Sequence, residues 1–122
     1  MPKTVLTVDD SPSIRCMIAL ALREAGYEVI EAVDGRDGLM KALSQPIDAI
    51  LTDQNMPNLD GLGFIREFRR HPASKGVPII FLSTDSEDQL KQQARDAGAL
   101  GWMVKPFTQD QLLGVIRKVL GA

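Results

Sequence analysis

Five short apolar runs, separated by stretches of helical periodicity, constrain the fold of this chain more than any other feature. The runs occupy residues 4–8, 28–32, 49–52, 78–82 and 100–104. After each run, apolar residues recur at the three- to four-residue spacing of a helix that buries one side. This alternation predicts a parallel sheet with helices on both faces and right-handed crossovers.

Residues that favour helix ends stand where the alternation needs them. Ser11 followed by Pro12 is typical of a helix start. The segments 84–87 and 108–111 have the spacing of capping boxes. The fourth helix has the weakest apolar side, which consists of Leu90, Ala94 and Ala97. We therefore expect that helix to pack weakly.

Composition excludes several classes of protein. The 122 residues carry a net charge of −2, which provides no basic surface for nucleic acid or an anionic membrane. The longest apolar run, residues 16–22, is too short to cross a bilayer. One cysteine and one histidine exclude an internal disulfide and any Cys- or His-rich metal site. We expect a single cytoplasmic domain whose chemistry depends on carboxylates, hydroxyls and lysines.

Polar side chains follow four of the five predicted strands. Asp9 and Asp10 come after the first, Asp53 after the third, Ser83 after the fourth and Lys105 after the fifth. Ligands bind at this edge of an open α/β sheet. If the first and third strands are neighbours, three carboxylates meet there and repel one another unless a cation or a proton intervenes. Oxygen ligands of this kind suit Mg²⁺, and a carboxylate beside Mg²⁺ and a lysine is a plausible phosphoryl acceptor.

Each of these residues also has an ordinary structural explanation. An acidic pair before a helix is favoured by the helix dipole, and Asp53 precedes a Pro/Gly turn in which a solvated aspartate is common. A lysine before a proline is often an exposed loop residue, and a serine at a strand end is usually structural. The hypothesis of a site depends on all of them falling at one edge of one sheet.

The same residues closely resemble the receiver domain of two-component response regulators. The resemblance extends from Thr4 to about Leu120 and is carried by Asp9-Asp10, the segment TDQNMPNLDG at 52–61, Ser83 and Lys105-Pro106-Phe107. It implies a flavodoxin-like (βα)5 fold with a five-stranded parallel sheet in the order 2-1-3-4-5. We expect one receiver domain over residues 1–122 with no output domain, as in the stand-alone chemotaxis regulators of the CheY type.

The resemblance also implies the chemistry of the site. Asp53 would accept a phosphoryl group from the phosphohistidine of a histidine kinase. Mg²⁺ would be bound by Asp10, Asp53 and the backbone carbonyl of Asn55, with Asp9 acting mainly through a metal-bound water. Lys105 would pair with the phosphoryl group, and its bond to the following proline would be cis. Such a protein is a signalling phosphoacceptor that assists its own phosphorylation and dephosphorylation, rather than an enzyme.

Three residues would carry the signal to a partner. Ser83 would move toward the phosphoryl group, Ser83 and Thr84 would link the phosphorylation site to the fourth helix, and Trp102 would occupy the aromatic switch position. The output surface would lie on the fourth helix, fifth strand and fifth helix. A chemotaxis regulator of this kind would be a monomer that binds its kinase and the flagellar motor switch.

Two other functions are also compatible with these residues. A single-domain receiver can also be a phosphorelay shuttle or a sink with a target unrelated to motility. More remotely, a haloacid-dehalogenase phosphatase uses a strand-end aspartate as its nucleophile. That class needs a second aspartate two residues later as general acid, and this chain has Asn55 there.

Overall fold

The computed structural model describes residues 2–84 and 88–121. Five parallel strands form one sheet, in which the first strand lies between the second and the third, and the fourth and fifth follow the third. The elements in chain order are β1 (Thr4–Val8), α1 (Pro12–Glu24), β2 (Glu28–Ala32), α2 (Gly35–Ser44), β3 (Ala49–Asp53), α3 (Gly61–Arg69), β4 (Ile79–Ser83), α4 (Asp88–Ala97), β5 (Gly101–Val104) and α5 (Gln109–Leu120). The fold and strand order implied by the resemblance are confirmed. A 3-10 turn at Pro72–Ser74 is an addition that the periodicity did not indicate.

The helix starts follow the predicted side chains. The Ser11 hydroxyl accepts a hydrogen bond from the Ile14 N–H, with Pro12 in the first turn of α1. Thr108 and Gln111 form the predicted capping box of α5, each side chain accepting from the backbone N–H of the other. The capping box predicted at 84–87 lies outside the described residues.

The helices cover the sheet in two layers, each with its own apolar core. On one face, α2, α3 and α4 enclose a cluster that includes Leu6, Ile50 and Phe64. On the other face, α1 and α5 pack over a cluster that includes Val5 and Leu51. Neighbouring residues of a strand therefore point into different layers, as the two-residue period of a strand requires. None of the described helices is long and apolar enough to cross a membrane.

The weak apolar side predicted for the fourth helix is confirmed. Within the described part of α4, Ala94 is the buried residue. The C-terminal end of α4 is held more firmly, because the guanidinium of Arg69 donates hydrogen bonds of 3.1 and 2.9 Å to the carbonyl oxygen of Gly98. The same guanidinium also bonds the carbonyl oxygens of Ser74 and Val77. Arg69 thus ties the end of α4 to the α3–β4 connection.

The register of the sheet aligns the strand ends that carry the polar residues. Val8 lies beside Thr52, Asp53 beside Leu82, and Ser83 beside Val104. Because all five strands are parallel, these ends share one edge of the sheet.

Candidate functional site

Three carboxylates meet at this edge. Asp9, Asp10 and Asp53 each offer a carboxylate oxygen, and these oxygens lie within 4.8 Å of one another. Asp9 and Asp53 are buried, whereas Asp10 is exposed. The donor set consists of oxygen atoms, and the exposed position leaves room for water. These properties fit Mg²⁺, which keeps several waters when it binds carboxylates.

Lys105 joins two of the three carboxylates. Its Nζ lies 3.1 Å from Oδ2 of Asp9 and 3.2 Å from Oδ1 of Asp53. The Lys105 N–H donates to the carbonyl oxygen of Ser83 at 2.9 Å, which fixes the backbone where β5 ends. The Lys105–Pro106 peptide bond is cis, as the resemblance implied. Asp10 forms no ion pair with any residue in 2–84 or 88–121.

The electrostatics of the site favour a cation. Burial raises the pKa of the Asp53 carboxyl above its ordinary value, and the negative charge of Asp9 raises it further. The positive charge of Lys105 acts in the opposite direction without cancelling the effect. Ionising Asp53 therefore costs more in the metal-free folded protein than in water, and a bound cation would lower that cost.

The β1–α1 turn holds Asp9 rigidly. One carboxylate oxygen of Asp9 accepts a hydrogen bond from the Ser11 N–H at 2.9 Å. Its backbone carbonyl accepts from Nη1 of Arg15 at 2.7 Å, and Arg15 also pairs with Glu31 on β2. Nothing in the sequence indicates this role of Arg15, because its partner is a backbone oxygen.

The β3–α3 loop, which carries Asn55, is fastened on the side of α2 by Asp34. Oδ2 of Asp34 accepts a hydrogen bond of 2.7 Å from the side-chain amide of Asn58, a residue in the left-handed region at φ 69°. Oδ1 of Asp34 caps α2 by accepting from the Asp37 N–H. Both hydrogen bonds lower the pKa of Asp34, and the one from the Asp37 N–H has the larger effect. Asp34 also follows a strand, but it secures the loop instead of joining the acidic cluster.

The residues predicted to carry the switch lie on β4, after it, and on β5. Ser83 is buried at the end of β4, and Thr84 after it is exposed. Trp102 is half-buried and packs on Phe81 with ring centroids 5.1 Å apart. Nζ of Lys91 on α4 lies 5.6 Å from the centroid of the Trp102 ring. The ring of Trp102 therefore lies between the sheet and α4.

Comparison with known proteins agrees with this geometry. Residues 5–117 match the response regulator receiver domain. A probable chemotaxis protein CheY from Rhizobium etli is 34% identical over 119 residues, which cover 97% of this chain and 92% of that protein. The chain spans about half the length of several other curated relatives named as transcriptional regulators.

Two solved structures extend the comparison to three dimensions. The chemotaxis protein CheY4 of Vibrio cholerae superposes with a TM-score of 0.95 at 42% identity, covering 98% of this chain and all of that one (100%). The receiver domain of the sensor histidine kinase PA1611 from Pseudomonas aeruginosa, described with a magnesium ion coordinated in its active site cleft, has a TM-score of 0.92 at 31% identity, and each chain is covered fully (100%). The fold, the residues at the strand ends and the match to the family all agree. The chain therefore belongs to the receiver domains of two-component response regulators.

Proposed function

We propose that this chain is a phosphoacceptor that receives a phosphoryl group on Asp53 from a histidine kinase, in a Mg²⁺-dependent reaction. The observation that carries the proposal is the position of Lys105 between the carboxylates of Asp9 and Asp53, with exposed Asp10 beside them. A carboxylate, an ammonium group and an oxygen-rich cation site are the components that phosphoryl transfer to an aspartate needs.

The chain would hold the cation with Asp10, Asp53 and the carbonyl of Asn55, and with Asp9 through a water. Bound Mg²⁺ would neutralise the charge that gathers on the phosphoryl oxygens. An oxygen of the Asp53 carboxylate attacks phosphorus, and the nitrogen–phosphorus bond of the donor phosphohistidine breaks. The imidazole leaves with the bonding electron pair.

Lys105 and Asp9 act as a pair in this step. The ammonium group already contacts the oxygen side of Asp53 and can donate to the phosphoryl oxygens once they arrive. Asp9 holds the ammonium group in place because its Oδ2 lies 3.1 Å from the same Nζ. Only 14% of the Lys105 side chain is exposed, so its charge is weakly screened by solvent.

Phosphorylation would then change the surface formed by α4, β5 and α5. The Ser83 hydroxyl would bond the phosphoryl group, and Thr84 would move with it toward the start of α4. Arg69 fastens the other end of α4, and Ala94 is its buried residue among those described. A helix with so few buried contacts shifts at little cost.

The name of the Rhizobium etli relative supports a finer proposal. The protein would act in the cytoplasm as a monomeric chemotaxis regulator whose phosphorylated form binds the flagellar motor switch. The alternative role is that of a shuttle or sink, in which the phosphoryl group passes to a second histidine protein or is lost by hydrolysis.

Phosphotransfer and binding distinguish these roles. A phosphorylated histidine kinase should label the wild-type protein in Mg²⁺ and should not label Asp53→Asn, or the wild type in EDTA. A motor switch protein from the same genome should bind the beryllofluoride-loaded protein more tightly than the unloaded one. Equal binding with and without beryllofluoride would reject the chemotaxis role and favour a shuttle or sink.

A further inference from the structure

The residue that follows the phosphoacceptor is bonded to the first turn of α3 through three of its atoms. The carbonyl oxygen of Gln54 accepts from the Gly61 N–H at 3.0 Å. Its side-chain Oε1 accepts from the Leu62 N–H at 2.9 Å. Its side-chain Nε2 donates to Oδ2 of Asp60 at 3.3 Å. These hydrogen bonds thus hold the two ends of the segment 54–61 together.

These bonds satisfy groups that a helix leaves open. The first N–H groups of a helix have no partner within it. In α3, oxygen atoms of Gln54 accept from the first two of these N–H groups, those of Gly61 and Leu62. Oδ1 of the N-cap residue Asp60 accepts from the third, that of Gly63. The side chain of Gln54 is therefore directed at the start of α3.

The start of α3 is also in direct contact with the backbone of Asp53. A side chain at Gly61 would collide with the carbonyl oxygen of Asp53 and with Cα of Gln54. The helix end consequently abuts the strand end, with no room for a methyl group between them. A shift of α3 toward β3 at this point would push on the backbone of Asp53 and Gln54.

We propose that Gln54 is a positioning residue for the Mg²⁺ site, because its three bonds keep the backbone of 53–55 in register with α3. This inference depends on the proposed function, in which the carbonyl of Asn55 binds the cation. Asn55 immediately follows Gln54, and its side chain is exposed. Its carbonyl can hold a fixed position only if the neighbouring backbone is fixed.

The variant Gln54→Leu tests the proposal without changing the net charge. It keeps a side chain of similar size and removes both side-chain hydrogen bonds. Measured by titration calorimetry, the dissociation constant for Mg²⁺ should rise about tenfold, the lower end of the range for groups that orient metal ligands. Gln54→Asn, whose amide is one methylene too short to reach both partners, should show the same weakening and replaces Gln54→Leu if that protein does not fold.

A matched control separates positioning from a general loss of stability. Gln111→Leu removes a similar glutamine hydrogen bond, to the Thr108 N–H in the capping box of α5. It should lower the melting temperature in EDTA and leave the Mg²⁺ dissociation constant unchanged. An equal rise of that constant in Gln111→Leu would overturn the proposal.

The double variant Gln54→Glu with Asp60→Asn exchanges the amide and the carboxylate between positions 54 and 60, so the net charge stays the same. The new carboxylate can still accept from Leu62, and the new amide can donate to it while capping α3, since Asn is as good an N-cap as Asp. The Mg²⁺ dissociation constant should return to within about twofold of the wild type. A double variant as weak as Gln54→Leu contradicts the proposed bonding.

The outcomes also distinguish this inference from the proposed function. If the wild type binds Mg²⁺ and Gln54→Leu binds it equally well, the inference alone is overturned. If the wild type binds no Mg²⁺, the proposed function and the inference are both overturned.

Discussion

The ammonium group of Lys105 lies 3.2 Å from Oδ1 of Asp53, although β4 separates β3, which ends at Asp53, from β5, which ends just before Lys105. The lysine side chain therefore reaches across the end of β4, where Ser83 is located. A phosphoryl group on Asp53 would arrive between an ammonium group on one strand and a hydroxyl on the next. This arrangement would connect phosphorylation of Asp53 to β4 and β5 at once.

Replacing Lys105 should separate cation binding from phosphoryl transfer. In Lys105→Met, Asp9 and Asp53 lose their shared counter-charge, so metal-free stability should fall by roughly 1–3 kcal/mol. Mg²⁺ should bind more tightly because a positive charge has been removed from its site, yet phosphorylation by acetyl phosphate should become slower. Calorimetry measures the changes in stability and in Mg²⁺ binding, and a phosphorylation time course measures the change in rate. Lys91→Met removes a lysine outside the acidic cluster and should alter neither.

Mg²⁺ should stabilise the native protein because the cation binds the folded acidic cluster. The melting temperature should rise with Mg²⁺ concentration and then level off. Asp10→Asn should weaken this rise because it removes a metal ligand. It should also relieve repulsion and raise metal-free stability by less than about 1 kcal/mol, since Asp10 is exposed. A full Mg²⁺ response in Asp10→Asn would show that this carboxylate does not bind the cation.

Asp34 should make stability depend on pH in a defined direction. Hydrogen bonds from Asp37 and Asn58 lower its pKa in the folded protein. A carboxylate of this kind stabilises the fold above its unfolded-state pKa, about 3.9, and the stabilisation disappears as the pH falls through the folded-state value.

Denaturant unfolding from pH 7 to pH 3 measures this effect. Asp34→Asn should be less stable than the wild type at pH 7 by roughly 0.3–1 kcal/mol. The difference should narrow below about pH 4. Asp110→Asn makes the same charge change in the first turn of α5 and serves as the control. A difference that stays constant over this pH range would show that the charge of Asp34 does not strengthen its bonds.

The sequence was sufficient to predict the order of elements because strand and helix periodicities are local properties. The convergence of Asp9, Asp53 and Lys105 could be predicted because parallel strands end at a common edge. The strand order itself came from the family resemblance, since hydrophobic periodicity does not determine which strands are neighbours.

The polar contacts around the site could not be predicted in this way. Asp34 bonds Asn58, and Gln54 bonds Leu62, across loops whose path depends on the packed structure. Arg15 and Arg69 bond backbone carbonyl oxygens, which every residue possesses and which therefore leave no trace in the sequence. These contacts become apparent only when the elements have been placed in three dimensions.

Trp102 should report the change that follows phosphorylation. Its indole is half-buried against Phe81 and lies near Lys91. Mg²⁺ alone should alter its fluorescence slightly, whereas beryllofluoride with Mg²⁺ should bury the ring further and reduce quenching by acrylamide. Ser83→Ala should abolish the change and leave Asp53 able to accept a phosphoryl group. Unchanged emission and quenching in the beryllofluoride-loaded wild type would exclude Trp102 as a switch.

The position of the phosphoryl group is the most direct test of the central claim. The protein is incubated with acetyl phosphate and Mg²⁺, the acyl phosphate is reduced with borohydride, and the modified peptide is located by mass spectrometry. We predict a single modified residue, Asp53, in the wild type and no modification in EDTA or in Asp53→Asn. Modification of Asp9 or Asp10 in the wild type, with Asp53 unmodified, would contradict the account.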